Sequence, residues 1–275
     1  MALHPLFFKF FSLSVRERNA FFQTSGDRLQ ANPLAIEKDF YVCLALDAIY
    51  HGRPEGHPRI MFKGGTSLAK HGLIRRFSED IDVVVFRSDL NVKDFQETGI
   101  SGKEHKRRIA ALIKEAARYI GEDLLASLNA ALKPILPTIN IMADLADDKA
   151  PTLLIHYETI FSEADFYINP VVKIEGGARS ALEPYEDLII EPYIAEDWGE
   201  DDWKIEGIST IYPQQTFLEK VMAMHGWIAK CSSKPDLVER GLMSRHYYDV
   251  ALIADTTIGH IQNSGAGAGA TAFHL

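Results

Sequence analysis

Two carboxylates, Asp80 and Asp82, stand two residues apart at the head of the apolar run Ile81 to Phe86. A strand alternates its side chains with a period of two, so both acids project from one face. Carboxylates held this close repel each other unless a hard cation such as Mg²⁺ (or Mn²⁺) neutralises them. Such ions take oxygen ligands together with substrate phosphates, which points to metal-assisted phosphoryl chemistry. A rival reading has Asp80 capping a turn and Asp82 facing solvent from an edge strand. The continuous β-branched run downstream argues instead for a covered central strand.

Upstream lies Phe62-Lys63-Gly64-Gly65-Thr66-Ser67-Leu68. Paired glycines after a strand let backbone come close to a phosphate, and amides and hydroxyls at a helix start offer donors to an anion. GxxxxGK[ST] is absent, so this is not a Walker A loop. Taken alone, the segment fits an ordinary tight turn equally well. Other chemistries find less support. The ten histidines form no HExxH, the serines have no GxSxG setting, and Cys43 and Cys231 show neither CxxC spacing nor a nearby His pair.

The elements that would position these residues follow from pattern. Residues 5–50 read as helices. A strand is predicted over Ile60–Lys63 and ends at the diglycine, after which Thr66-Ser67 cap a short helix over Leu68–Ile74. Further strands are expected over residues 139–142, 153–157 and 171–175, and helices over 214–230 and 244–254. In KEHKRRIAALIKEAARYI (103–120), Lys103, Arg107, Lys114 and Arg118 fall on one stripe opposite Ile109, Leu112, Ile113, Ala116 and Ile120. That stripe is either a solvated helix face or a grip on an RNA backbone.

The chain of 275 residues has 47% hydrophobic and 24% charged residues and a formal charge of −9, an ordinary globular composition. Ten carboxylates and one lysine fall within residues 183–206, and the remainder balances. The segment reads as a solvated connector or as a docking surface for a basic partner. Net acidity does not exclude nucleic acid, because phosphate contacts depend on local basic patches. The expected organisation is N-terminal helices plus a sheet domain (1–182), an acidic connector (183–206), a helical C-terminal region (207–262) and a Gly/Ala-rich flexible tail (263–275). The N-terminal Leu6–Phe11 run lacks a basic flank and a cleavage site, so it is not expected to be a signal peptide. No transmembrane helix is expected, and the default setting is a reducing cytoplasm.

Together, a glycine turn after one strand, a short helix and Asp-x-Asp on the next strand resemble the polymerase-β-like nucleotidyltransferases. More narrowly, KGGTSLAKHGLIRRFSEDIDVVV (63–85) is similar to the signature of the AbiEii/AbiGii family, the nucleotidyltransferase toxins of abortive-infection and type IV toxin–antitoxin systems. Three further segments fit: Ile36–Phe40, Phe217–Ala223 and Arg245–Val250, extending the resemblance over about residues 34–254. The resemblance implies an α+β fold, a mixed sheet with flanking helices. It implies Asp80 and Asp82 on the metal, Gly65, Thr66 and Ser67 (with Lys63 and Gly64) around a nucleoside triphosphate, and Lys220 on the phosphates. Asp249 would orient Lys220 or a substrate group, and Arg76 would meet either the carboxylates or phosphate. A third carboxylate is expected on a later strand. Glu175 is the candidate and Asp144 its rival, the alternative for Glu175 being a salt bridge with Lys173 or Arg179. Glu37 and Lys38 would form a structural ion pair. The family further implies transfer to an RNA end such as the tRNA 3′ end, arrested translation, and a cognate antitoxin without an obligate stable complex. A metal-dependent nuclease, a kinase-like γ-phosphate transferase and a non-catalytic nucleotide-binding module remain as alternatives.

Overall fold

A computed structural model describes residues 2–93, 97–144, 151–161, 168–178, 182–199, 202–233 and 244–256. The Gly/Ala-rich tail and Arg179 lie outside them. Three helices open the chain: α1 (Pro5–Ser12), α2 (Val15–Leu29) and α3 (Pro33–His51). β1 (Ile60–Lys63) leads directly into α4 (Gly64–Lys70) and then β2 (Asp80–Val85). After α5 (Gly102–Arg118) and α6 (Leu125–Leu132) come β3 (Asn140–Ala143), β4 (Thr152–His156), β5 (Val171–Gly177) and β6 (Tyr185–Ile190). The short α7 (Ala195–Trp198), β7 (Ile205–Ile211), α8 (Pro213–Ser233) and α9 (Ser244–Ala254) complete it.

The strands form one seven-stranded mixed sheet in the order β3-β4-β5-β2-β1-β7-β6. β2 is central, antiparallel to β1 and parallel to β5. One of its faces, Ile81, Val83 and Val85, enters the main core with Phe62, Val172 and Ile174. α3 lies in that core and is buried from Leu34 to Ile49. A helix apolar on most sides belongs inside, and its few charged groups are each partnered. Glu37 accepts hydrogen bonds from the Thr159 hydroxyl (2.6 Å) and the Ile160 amide (3.0 Å). Asp39 pairs with Lys70 at 2.6 Å, both side chains at most 5% exposed. Asp47 pairs with His51 at 2.7 Å. The N-terminal aromatic run packs here too, with Phe10 and Phe40 ring centroids 4.2 Å apart.

Four expectations need correction. Residues 183–206 are not a connector: they contain β6, paired along β7, and the sheet continues through β7 into what was expected to be a purely helical region. The acids mislead because β6 is an outer strand whose residues 185–187 are exposed, and charge on an edge is compatible with pairing on its inner side. The short helix begins at Gly64, not Leu68. Thr66 and Ser67 do not cap it. Their hydroxyls donate to the Asp80 and Gly64 carbonyls respectively. Finally, Glu37 and Lys38 do not pair, because successive residues point to different sides of a helix; Lys38 instead reaches Glu79 and the Asn169 carbonyl.

Candidate active site

Asp80 and Asp82 alternate with the buried Ile81 and Val83, so both leave β2 on the face away from the main core. Register fixes their neighbours. Lys63 of β1 lies opposite Asp82, while Lys173 and Glu175 of β5 lie beside Asp80 and Asp82. Burial raises both aspartates, and Glu175 pushes in the same direction. Asp82, the more enclosed, is pushed up to about 6 despite the opposing charges of Lys63 and Lys220. Asp144 acts on Lys173. Glu175 acts on both aspartates from the neighbouring strand. It also makes the salt bridge to Lys173, at 2.6 Å.

The diglycine bend meets these acids directly. Gly64 has φ +83°, and a Cβ built on it would lie 2.6 Å from the Asp82 Cγ. On Gly65 a Cβ would lie 2.7 Å from an Arg76 guanidinium nitrogen. Only residues without side chains permit both approaches. Thr66 and Ser67, 1% and 0% exposed, brace this turn from within: besides the carbonyl bonds above, Thr66 shares a 2.9 Å hydrogen bond with Ser78. Lys63 pairs with Glu219 at 2.8 Å.

From the other side come α8 and α9. Asp249, fully buried, accepts hydrogen bonds from Arg76 at 2.6 and 2.7 Å and from Lys220 at 3.0 Å. Burial raises its carboxyl, but those two cations outweigh burial and hold it below the usual range. Two cations share one carboxylate, so the cluster keeps a net positive charge beside Asp82. Leu68, Ile74 and Ile253 form the small core that seats α9 on α4. Arg245 approaches Glu79 at 3.8 Å. Sequence reasoning missed Glu79, Glu219, Arg245 and the sharing of Asp249 between Arg76 and Lys220; their separations in sequence leave no local signal.

The basic stripe is not brought to this site. α5 packs Leu112 and Ala116 into the main core, on the opposite side of the sheet from the two aspartates. Arg107 is spent on Glu104 (2.7 Å) and Arg118 on Glu115 (2.8 Å), while Lys103 and Lys114 are exposed. Among the described residues, no group of three His, Cys, Asp or Glu side chains could hold a metal ion alone.

A mixed sheet with a paired-acid strand against a glycine turn is the architecture of the nucleotidyltransferase class. The family model described as "Nucleotidyl transferase AbiEii toxin, Type IV TA system" matches residues 47–265, and the chain belongs to that family. The Ile36–Phe40 segment lies upstream of the matched range. Among solved structures, the chain is similar to MenT4, a nucleotidyltransferase toxin from Mycobacterium tuberculosis, with 16% identity and a TM-score of 0.37. The similarity covers 73% of this chain and 57% of that one, so the chain spans little more than half of that relative. No curated protein matches.

Proposed function

We propose that this nucleotidyltransferase-family chain transfers a nucleoside monophosphate from a nucleoside triphosphate to an acceptor hydroxyl. The observation that carries the reading is Asp82 against Gly64, with Asp80 on the same strand face and the Arg76–Lys220–Asp249 cluster adjoining. The donor chemistry suits a hard divalent ion. Asp80 and Asp82 offer only oxygen; burial first, and the neighbouring carboxylates second, push both acids upward, and a bound cation would offset both. Two protein carboxylates with phosphate and water oxygens completing the shell is the habit of Mg²⁺. When bound, Mg²⁺ or Mn²⁺ would supply charge neutralisation at the phosphates.

In this reading the turn from Lys63 to Ser67 lets the phosphates lie close to backbone, with Thr66 and Ser67 stiffening it from beneath. Lys220 offsets charge as the α-phosphorus is attacked, and Asp249 fixes the ammonium in place. Arg76 seats Asp249. The acceptor oxygen bonds to the α-phosphorus, its proton passes to Glu175, and pyrophosphate leaves. The proposed acceptor is an RNA end, the tRNA 3′ end by family resemblance, whose modification would block translation and growth. The stripe of Lys103, Arg107, Lys114 and Arg118 is proposed as an outer contact for that RNA, with Lys103 and Lys114 carrying most of it. A cognate antitoxin is part of the proposal, without an obligate stable complex. No described helix is long and apolar enough to cross a membrane, and the proposed substrates place the reaction in the cytoplasm.

Total RNA is incubated with the protein, Mg²⁺ and each α-labelled triphosphate, beside Asp80→Ala. Label entering RNA from the wild type alone supports the reading. Label entering from γ-labelled nucleotide indicates a kinase-like transfer, RNA breakdown without nucleotide indicates a nuclease, and equal labelling by the variant removes Asp80 from the machinery.

A further inference from the structure

Two polar atoms at the junction of α8 and α9 lack what buried polar groups ordinarily have. The Thr216 Oγ1 and the His246 Nδ1 are shielded from solvent, and neither has a hydrogen-bond partner among the described residues. Thr216 is 2% exposed. A helical threonine commonly bonds the carbonyl one turn back, yet this hydroxyl does not. Leaving such atoms unpaired is costly, so each calls for an explanation.

Their placement supplies one. Thr216 precedes Lys220 by four residues on α8, and His246 precedes Asp249 by three on α9, so each shares a helix face with a member of the cationic cluster. On α9 that face runs from Ile253, in the small core beside Leu68 and Ile74, through Asp249 to His246. One residue before His246, Arg245 approaches Glu79, the neighbour of Asp80. The half-buried imidazole therefore sits where the packed stripe opens toward β2. Its burial, together with Lys220 and Arg76, lowers its pKa, which Asp249 only partly opposes. A neutral ring retains one N–H to donate. A hydroxyl, an ammonium and an imidazole N–H are a donor set matched to the oxygens of a polyphosphate.

We propose that Thr216 and His246 are triphosphate-binding residues, donating to non-bridging phosphate oxygens on either side of Lys220. The proposal rests on the nucleotide reading above and extends it to two side chains outside the Gly-Gly and Asp-x-Asp motifs. Of the two, His246 is the more accessible.

The test titrates wild type, Thr216→Val, His246→Gln and His246→Asn with Mg²⁺ and α,β-methylene triphosphates of the four nucleosides. The free nucleosides and thermal unfolding serve as controls. Valine keeps the threonine shape without the hydroxyl, asparagine keeps a donor near the Nδ1 position, and glutamine moves it outward. Thr216→Val and His246→Gln should weaken triphosphate binding about tenfold. His246→Asn should stay near wild type, with nucleoside binding and thermal midpoints unchanged throughout. Triphosphate binding within twofold of wild type in both weakened variants overturns the proposal, as does an equal loss for nucleosides. If those variants bind normally while the wild type labels RNA, the subsite falls and transfer stands. If binding depends on both residues but no label is transferred, the subsite stands and transfer falls. A wild type that binds no triphosphate defeats both.

Discussion

Asp249→Asn removes one charge and almost no volume, which isolates what that carboxylate does. Its oxygens hold Arg76 and Lys220, whose side chains are 19% and 9% exposed. Without the carboxylate, two screened cations face each other with no counter-charge between them. Breaking a buried pair from one side costs about 3–5 kcal/mol, and the three hydrogen bonds of 2.6, 2.7 and 3.0 Å place this site in the upper half of that range. The loss should be local, because α9 is otherwise seated by the small cluster around Ile253. Hydrogen exchange followed peptide by peptide reads it: α9 amides should exchange at least roughly a hundredfold faster, while β2 is unchanged. Acid provides a second reading. The folded carboxyl lies below its ordinary 3.8, so its contribution is complete above that value and disappears as pH falls through the lower folded one. Wild-type α9 should lose protection in that window, and the variant should lack that step. An α9 whose exchange stays within threefold of wild type would refute the clamp.

Two further outcomes follow from the packing. Gly64→Ala meets both a left-handed backbone and the Asp82 side chain; backbone strain and overpacking together should cost about 2–4 kcal/mol in urea unfolding, and a variant as stable as wild type would show that the turn does not abut Asp82. Asp39→Asn strands the buried Lys70 ammonium and should cost about 3–5 kcal/mol, part of it recovered in the Asp39→Leu/Lys70→Met double variant, which removes the stranded charge but leaves the Tyr193 amide without its acceptor. A double variant no more stable than the single one would assign the loss to something other than the stranded charge.

The central strand was legible because Ile81 to Val85 form a β-branched run that only Asp82 interrupts. The helices at 213–233 and 244–254 and the strands at 140–143, 152–156 and 171–177 fall within a few residues of expectation. β6 escaped notice because acids dominate the segment, and an outer strand can carry exposed charge without losing its partner; β7 escaped because Gly207 and the polar Ser209 and Thr210 break up its isoleucines. At the site, the two aspartates declare themselves locally. Asp249 and Lys220 do not, since 173 residues separate Arg76 from the carboxylate it holds. Without the family motif, Lys220 reads as one more helix lysine. The helix start was misplaced because Thr-Ser fits a capping pattern, whereas the hydroxyls go to Asp80 and to Gly64 itself.

The outer strand β6 also governs which way a charged polymer can come. Glu186 reaches His71 and Asp187 takes the Ser209 hydroxyl, so those acids are fixed along the rim rather than free to swing aside. Any chain of phosphodiesters sliding in from that margin meets a fence of matching sign, and a second copy offering its own β6 meets the same rebuff.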